Sequence, residues 1–587
     1  MTEGPSAQAD QALRGPAGWA AALARGDGRT TGLCFALLTG FYLLTAAGNV
    51  SETDDVYAFA YRAENFPVDY LSDPRLMLYH IAMRLLFLGV SALGLDLSAL
   101  TLMRCVSALC AAGSLVLMVR IVGGDLKLSP ATAGLAAVIL GVSYGFWRYA
   151  AEAEVYVPAI FCILLVLHGL MTHTRDRQQA AWSDGLLPVA GWGGLAGLTV
   201  LLYQPSVIPL FFAFPLLLLY RSRVPQLAGY LVVGGAVVAG GYLIGFLAYW
   251  PDPLSASAFS AFLAQRAGEF MVPSLSLRTV VVSMIRSAFA LAHDLASANW
   301  IFAFDPVVAL IQRAFSNNII TEEVFLAKRA GALVYFPFVT LTALGVLALW
   351  ILRALWRPSF AFFRQRPFLV LLVWLLVNGA VIGRLNPAGL EAWIMVFPPL
   401  ILIFAALVIE PCLRIGRGRL IATFVGALFL HNAVGGMALV YDPANEYDRQ
   451  RGAWVIAEAE PEDLVIVVSN AGLGETLRYL SPARVAMIAV FQPPDVSVSL
   501  LENDLNGLFT KTRGRDFDGD FLRDLIRETW DSGGRLILFD HFFELPEPLR
   551  RVHRPEHDAL DDLKDRLVRV YAAPDVGATY VLAAPIR

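Results

Sequence analysis

Two adjacent carboxylates, Asp54 and Asp55, open the segment that follows the first long apolar run of the sequence. Acidic side chains at a membrane boundary are costly unless they act or are paired. One carboxylate in this position can serve as a general base that takes a proton from an incoming hydroxyl group. Two together can hold a divalent cation. The alternative is a helix start, where the dipole stabilises acidic residues without any catalytic role.

Other polar residues lie at turns that, as shown below, are expected on the same side of the membrane. Arg148 and Glu152 have the i, i+4 spacing of a simple helical ion pair, which leaves Glu154 as the better candidate for catalysis. A later turn offers Tyr203 and Gln204, which can form hydrogen bonds without charge. For that turn, an ordinary polar connection is an equally good interpretation.

The turn near residue 384 carries a cation and a carboxylate, Arg384 and Glu391. A guanidinium group at the membrane boundary suits a lipid-linked phosphate, because it can meet two phosphate oxygens at once. The alternative is that Arg384 only anchors the helix at the interface.

Composition shows what must position these residues. Of 587 residues, 57% are hydrophobic and 16% are charged, and the mean hydropathy is +0.59. Soluble domains carry about 25% charged residues, so a soluble enzyme, a disordered chain and a nucleic-acid binder are excluded. The net charge is +4 over residues 1–442 and −8 over residues 443–587. We therefore expect a cytoplasmic tail at 1–30, a membrane module at 31–442 and an acidic soluble domain at 443–587.

Eleven apolar runs are long enough to cross about 30 Å of hydrocarbon. They are residues 31–47, 98–121, 131–149, 155–172, 187–202, 206–220, 226–250, 331–353, 368–384, 391–413 and 420–441. A further stretch, 76–94, has polar residues among the apolar ones at helical spacing, as expected of an amphipathic helix lying at the interface.

The positive-inside rule supports eleven crossings. If 76–94 does not cross, each of the five cytoplasmic turns between apolar runs carries a cluster of arginine or lysine residues. If 76–94 crosses, all five of these clusters face outward. The amino terminus is then cytoplasmic, and the outer face holds the loops 49–96 and 250–330 and the carboxyl-terminal domain. We expect a multi-pass protein of the bacterial inner membrane with a periplasmic domain.

The sequence of the carboxyl-terminal domain predicts an α/β fold. Strands are predicted at 463–468, 484–490, 535–539 and 579–584, and helices at 499–510, 520–531 and 558–570. Alternating strands and helices predict a small layered sheet, parallel or mixed. The predicted fold class is therefore an α-helical polytopic membrane protein with a soluble α/β domain.

These motifs resemble the GT-C superfamily of membrane glycosyltransferases, which includes protein O-mannosyltransferases and the aminoarabinose transferases of lipid A. The Asp54-Asp55-Val sequence is similar to the Asp-Glu pair of the mannosyltransferases. An interfacial helix follows, and the second outer turn carries Phe-Trp at 146–147 and Glu-Val-Tyr at 154–156. The resemblance covers residues 31–220.

The resemblance implies a sugar donor linked to polyprenyl phosphate and a hydroxyl or amine acceptor on a glycan, lipid or protein. Asp54 matches the family's acidic catalytic residue and Asp55 its neighbour. The implied reaction is a single inverting displacement on the outer face, with Arg384 and Arg75 as candidates to neutralise the leaving phosphate. A divalent cation is possible, and no nucleotide is needed.

The sequence departs from the family at three points. The acidic pair is Asp-Asp where the family has Asp-Glu. Residues 72–75 stand in place of a His-Pro-Pro-Gly-type stretch, and Tyr79 and His80 follow them in this chain. Tyr-Gln stands at 203–204, where the family often has a histidine. These departures leave the sugar and the acceptor open. The expected catalytic residues are Asp54, Asp55 and Glu154. The expected substrate-binding residues are Arg75, Tyr79, His80, Arg148, Tyr203, Gln204, Arg384 and Glu391.

Two other functions fit parts of the sequence. A transporter or flippase of a lipid-linked sugar would have polar groups along a path through the bilayer, whereas the polar residues here cluster at the outer boundary. A non-catalytic envelope assembly protein could use the acidic domain to bind a partner. No nucleic-acid partner is expected, because no basic surface is indicated.

Overall fold

The structure is a computed structural model. It describes residues 16–50, 55–66, 74–176, 186–219, 223–250, 253–264, 276–315, 321–354, 365–387, 389–468, 471–490, 498–500, 519–540, 566–573 and 576–582. Two compact units divide the chain. The membrane unit comprises Met1–Ala47, Arg62–Asn318 and Ala330–Tyr441, and the C-terminal unit comprises Gly48–Tyr61, Ile319–Arg329 and Asp442–Arg587.

The membrane unit is built from apolar helices. Within the described ranges, seven are long and apolar enough to cross a membrane: Ala99–Asp125, Tyr156–Thr174, Val224–Ala248, Gly331–Arg353, Arg366–Leu385, Leu390–Arg414 and Gly418–Val440. Four shorter apolar helices are Met77–Ala92, Pro130–Val142, Leu186–Leu202 and Gln204–Leu217. These are the helices of a multi-pass membrane protein. All eleven predicted spans have a helical counterpart, the first being Gly28–Leu44, but eleven crossings remain a prediction, since seven helices meet the length and composition needed.

Shorter or more polar helices complete the described chain. They are Pro16–Arg25, Asp55–Asn65, Tyr144–Tyr149, Ala256–Ala264, Leu277–Leu295, Asp305–Phe315, Thr321–Arg329, Tyr447–Arg451, Ala453–Glu458, Ala471–Leu480 and Gly519–Asp531. The predicted interfacial stretch 76–94 forms the helix Met77–Ala92. This helix buries one face and leaves leucines of the other face exposed.

Serine side chains start several of these helices. Ser98, Ser129 and Ser276 each accept a hydrogen bond from the backbone N–H three residues later, at 3.1 to 3.3 Å. Such a cap satisfies one of the N–H groups that a helix start leaves without an intrahelical partner. The carboxylate of Glu410 adds to one of these starts, because it accepts hydrogen bonds from the Ser129 hydroxyl and the Thr132 hydroxyl, both at 2.7 Å.

Glycines allow the helices Leu186–Leu202 and Val224–Tyr249 to approach closely. A Cβ atom on Gly197 would lie 2.6 Å from the carbonyl oxygen of Gly234, and one on Gly234 would lie 2.7 Å from that of Gly193. A side chain there would require the backbones to separate. Small residues four apart commonly allow this contact in membranes, where packing and not the hydrophobic effect joins helices. The contact fixes the helix that leads into Tyr203.

The C-terminal unit contains a six-stranded mixed sheet. Its strands are β1 (Leu464–Val468), β2 (Arg484–Val490), β3 (Val498–Leu500), β4 (Leu536–Phe539), β5 (Val568–Ala573) and β6 (Gly577–Leu582). Their order is β3-β2-β1-β4-β6-β5, with β1 parallel to both β2 and β4 and the other pairs antiparallel. Alternate strand residues Val465 and Val467 pack with Leu473 and Leu477 of the helix Ala471–Leu480. The predicted strands and the helix at 520–531 are confirmed.

Two helix predictions in this domain were wrong where they can be compared. Residues 568–570, predicted to end a helix, begin the edge strand β5, and residues 499–500 belong to β3. Alternating Val568 and Val570 favour a strand, since β-branched side chains lose less freedom there. β5 pairs with β6, and Gly577 at the start of β6 has φ +93°, which glycine adopts without a steric penalty. The remainder of both predicted helices lies largely outside the described residues.

Candidate active site

Five predicted site residues meet in one polar cluster of the membrane unit, the Tyr203 cluster, which consists of Arg75, Tyr79, Glu154, Tyr203 and Glu391. The charges of Arg75, Glu154 and Glu391 are all near enough to Tyr203 to affect the pKa of its phenol, and Glu154 likewise affects the pKa of Tyr79. Tyr79, Glu154 and Tyr203 are buried, whereas Arg75 and Glu391 are half-buried. The residues come from four turns or helix ends far apart in sequence. They provide two carboxylates, one cation and two phenol groups.

The turn after the helix Leu186–Leu202 places the central residue. Tyr203 is in an extended conformation, and Gln204 starts a short 3-10 helix that contains Pro205. The backbone N–H of Gln204 donates a hydrogen bond to the carbonyl oxygen of Arg75 at 3.0 Å. This bond joins the turn to the chain just before the helix Met77–Ala92. The Gln204 side chain itself is exposed, so its predicted role in substrate binding remains a prediction.

A row of tyrosine rings lines one side of the Tyr203 cluster. The ring of Tyr156 lies edge-on to Tyr203 at 5.2 Å between centroids, and that of Tyr149 lies edge-on to Tyr156 at 6.0 Å. This edge-to-face geometry is favourable for aromatic rings. Burial raises the pKa of Tyr203, with Glu391 and Glu154 adding to the effect and Arg75 opposing it. Tyr203 is therefore protonated at neutral pH and can donate a hydrogen bond.

The backbone around Glu154 is also fixed. The Ser107 hydroxyl donates a hydrogen bond to the Glu154 carbonyl oxygen at 3.4 Å. Tyr79 and His80 are both buried on the helix Met77–Ala92, with their rings 6.0 Å apart. His80 therefore lies next to a member of the cluster, as the sequence suggested for a substrate-binding residue, but its role is untested.

Arg148 belongs to a separate buried ion cluster. Its guanidinium group lies 3.6 Å from the Glu152 carboxylate, and Arg104 lies 4.0 Å from the other oxygen of the same carboxylate. Both Arg148 and Glu152 have fully buried side chains. Arg104 also donates a hydrogen bond to the Ala47 carbonyl oxygen at 2.9 Å. The i, i+4 pairing of Arg148 with Glu152 is confirmed, and this contact offers a structural explanation for Arg148.

Arg384 is not part of the Tyr203 cluster and lines a cavity of its own. The cavity has a volume of about 390 Å³ and lies between the helices Leu277–Leu295 and Arg366–Leu385. Hydroxyl groups of Thr279, Ser283 and Ser287 line it together with Arg384 and Trp393. A guanidinium group beside several hydroxyl groups offers hydrogen-bond donors to an anion.

The acidic pair is described only in part. Asp54 lies outside the described residues. Asp55 is the first residue of the helix Asp55–Asn65 and is exposed, and it belongs to the C-terminal unit. Among the described residues, no group of three or more His, Cys, Asp and Glu side chains is arranged to hold a metal ion.

The sequence interpretation missed a third buried polar cluster in the membrane unit. Asn432 donates hydrogen bonds to the carbonyl oxygens of Val142 and Leu295, at 2.7 and 2.9 Å. Asp294 lies so close to Gly145 that a Cβ there would be 2.7 Å from its carboxylate oxygen. Polar residues inside an apolar run, such as Asn432, were the available signal. The contact with Asp294 had no local signal, because it joins segments about 150 residues apart in sequence.

Comparisons with known proteins identify the fold. No protein-family model matches the sequence, and no curated protein matches it. The structure is similar to that of ArnT from Cupriavidus metallidurans bound to undecaprenyl phosphate, with a TM-score of 0.50 and 13% identity over 94% of this chain and 99% of that one. A likeness to the Archaeoglobus fulgidus oligosaccharyltransferase in complex with zinc and sulfate has a TM-score of 0.45 and 13% identity over 94% and 74% of the chains. The first of these matches confirms the GT-C fold that the sequence resemblance implied.

Proposed function

We propose that this chain is a membrane glycosyltransferase that moves a sugar from a polyprenyl-phosphate donor to a hydroxyl or amine acceptor. The observation that carries the proposal is the Tyr203 cluster, three of whose members are buried, in a chain with the GT-C fold. Buried carboxylates and arginines in membrane proteins mark functional sites more often than structural ones. The likeness to a transferase structure that contains undecaprenyl phosphate supports a lipid-linked donor.

The proposed reaction is a single displacement at the anomeric carbon. The acceptor oxygen or nitrogen forms a bond to that carbon as the bond to the phosphate oxygen breaks, and polyprenyl phosphate leaves with the electron pair. Asp54, or its neighbour Asp55, takes the acceptor proton, and Glu154 is the further candidate. Arg75 and Arg384 are proposed to neutralise the leaving phosphate, since fixed cations in a partly dry site stabilise developing charge strongly. The configuration at the anomeric carbon is expected to invert.

The orientation we propose puts the amino terminus in the cytoplasm and residues 443–587 in the periplasm of a bacterium. The arginine and lysine residues between the apolar runs support it through the positive-inside rule. The donor and the acceptor would then meet at the outer face of the inner membrane. Membrane lipid is the expected surrounding of the apolar helices.

The test is donor turnover in nanodiscs with a panel of radiolabelled polyprenyl-phosphate sugars. Water can replace the missing acceptor, so release of polyprenyl phosphate is the readout. Asp54→Asn should lower release by about 100-fold or more, the usual contribution of a general base. Asp96→Asn, which changes an exposed carboxylate of the same predicted loop, is the matched control and should leave release unchanged.

Other outcomes contradict parts of the proposal. Equal release by the wild type and Asp54→Asn would remove Asp54 from the mechanism and make Asp55 and Glu154 the next variants to test. Failure to release any donor, together with flux of a lipid-linked sugar in sealed vesicles, would favour a transporter. A product that keeps the donor's anomeric configuration would exclude a single displacement.

A further inference from the structure

The segment Gly48–Tyr61, which contains the acidic pair, belongs to the C-terminal unit. It is nearly 400 residues away in sequence from the start of the main part of that unit at Asp442. Asn49 donates a side-chain hydrogen bond to the Asn445 carbonyl oxygen at 2.8 Å. The Tyr57 hydroxyl donates to the Glu446 carboxylate at 3.2 Å. The two contacts therefore attach Asn49 and Tyr57, which come before and after the acidic pair in sequence, to residues 445 and 446.

Aromatic contacts strengthen the second of these attachments. The ring of Tyr57 stacks on that of Tyr479, with centroids 5.6 Å apart and planes at 27°. Tyr61 lies one turn after Tyr57 on the helix Asp55–Asn65. The Arg478 guanidinium lies over the Tyr61 ring, 5.5 Å from its centroid. Both arrangements are favourable, since stacked rings attract each other beyond the area they bury and a cation is attracted to the face of a ring.

The residues that attach the segment differ in solvent exposure from the acidic residue beside them. Asn49, Tyr57 and Glu446 are all at most 5% exposed, whereas Asp55 is exposed. The same helix turn thus presents an accessible carboxylate beside a buried tyrosine. This division is what a site needs when its supporting residues must be locked and its reacting group must remain accessible.

The surface that holds the segment is itself rigid. Tyr479 lies on the helix Ala471–Leu480, whose Leu473 and Leu477 are completely buried against the β-sheet. Glu446 lies just before the helix Tyr447–Arg451 and is 1% exposed. Residues on packed helices keep a bound segment in a narrower range of positions than loop residues can.

We propose that the C-terminal unit positions the helix turn that begins at Asp55, with Tyr479 and Glu446 as positioning residues that act through Tyr57. The inference rests on the proposed function, because it assumes that the pair at 54 and 55 provides the base. A shift of about 1 Å in a reacting group can lower the rate about 100-fold. Loosening the segment should therefore lower kcat, while donor binding, measured by KM, changes little.

The experiment compares Tyr479→Ala with Tyr479→Phe in the full chain in nanodiscs. The alanine variant removes the stacked ring, and the phenylalanine variant keeps it. Two quantities are measured: hydrogen exchange of the amides of residues 55–61, and kcat and KM for donor turnover. We expect Tyr479→Ala to exchange at least about 10-fold faster there, as a loss of about 1.4 kcal/mol requires. Its kcat should fall about 10–100-fold, as expected from misplacement of the base, and Tyr479→Phe should behave like the wild type.

Tyr57→Phe is the second variant in case Tyr479→Ala unfolds the domain. It removes only the hydroxyl that donates to Glu446 and keeps the ring, and exchange protection of β1 shows whether the sheet is intact. Wild-type exchange at residues 55–61 in Tyr479→Ala, with the sheet folded, would overturn the proposal. So would faster exchange with an unchanged kcat.

Asp54→Asn and Asp55→Asn, measured in parallel, separate the two proposals. If neither changes turnover while Tyr479→Ala changes exchange at 55–61, the C-terminal unit holds the segment but the segment is not the source of the base. That result would refute the proposed catalytic role and the positioning of a catalytic group together. If the Asp variants lose turnover and Tyr479→Ala changes neither quantity, only the positioning proposal fails.

Discussion

Replacing Glu152 by glutamine removes the charge that faces Arg148 in the interior of the membrane unit. The two side chains are completely buried, and the nearest nitrogen and oxygen are 3.6 Å apart. At an effective dielectric constant of about 20, two unit charges at that distance attract each other by roughly 4–5 kcal/mol. Removing one partner of a buried pair typically costs about 3–5 kcal/mol, because the other charge stays in the interior. We expect a loss in that range for Glu152→Gln.

A companion variant separates the cost of a buried charge from the value of the pair. Arg148→Met together with Glu152→Leu replaces both charges by apolar groups of similar length. Such replacements are often neutral or stabilising by about 1–4 kcal/mol. The contact of Glu152 with Arg104, at 4.0 Å, is also lost, but Arg104 keeps its hydrogen bond to Ala47. The double variant should therefore be more stable than Glu152→Gln.

The assay is the rate at which a thiol reagent labels Cys412, resolved by mass spectrometry. Cys412 belongs to the membrane unit and is completely buried. When labelling requires opening of the unit, a loss of 3 kcal/mol increases the rate by about 100-fold. Wild-type labelling in Glu152→Gln, or a double variant that labels as fast as the single one, would refute this account. In that case the ion pair would not explain the burial of Arg148, and its predicted role in substrate binding would be the next one to test.

Other predictions follow from single contacts. Asp463→Asn should cost the C-terminal unit about 2–3 kcal/mol, since the carboxylate accepts charged hydrogen bonds from Arg535, the shortest at 2.6 Å. Burial alone would raise the pKa of Asp463, but the Arg535 hydrogen bonds hold it below its ordinary value. This stability is present above about pH 4, is lost as the pH falls through the lowered pKa, and should be missing in the variant; circular dichroism at a series of pH values checks it. Gly145→Ala should lower the thermal midpoint because its Cβ would lie 2.7 Å from the Asp294 carboxylate, whereas Gly40→Ala has open space and should not.

Periodic features were predictable from the sequence because they repeat within a few residues. The long apolar runs predicted the membrane helices, and short continuous apolar runs predicted strands such as β1 and β4. The i, i+4 spacing of Arg148 and Glu152 predicted their pairing, which the distance of 3.6 Å confirms. The turns that carry Tyr203 and Glu154 were also identified, since polar groups between apolar runs stand out. How these two residues combine with Arg75 required the fold.

Contacts between distant segments were not predictable from one sequence. Tyr57 and Tyr479 stack although about 420 residues separate them, and neither residue is unusual in its local sequence. The stretch 558–570 failed for a different reason. Its charged residues have a helical pattern, but Val568–Ala573 pairs with β6, and pairing with a neighbouring strand outweighs weak local preference.

Three of the arginines that are expected on the outer side are informative together. Arg75, Arg148 and Arg384 are all expected on the outer side, where arginine in short loops is disfavoured. The structure gives each a polar environment: Arg75 in the Tyr203 cluster, Arg148 beside Glu152, and Arg384 in the hydroxyl-lined cavity. Arg148 is paired with a buried carboxylate, and its role in substrate binding stays a prediction. Arg75 and Arg384 are only half-buried, so an incoming phosphate can reach them at a lower desolvation cost. Arg75 and Arg384 are therefore the two of these three cations to substitute first in the donor-turnover assay.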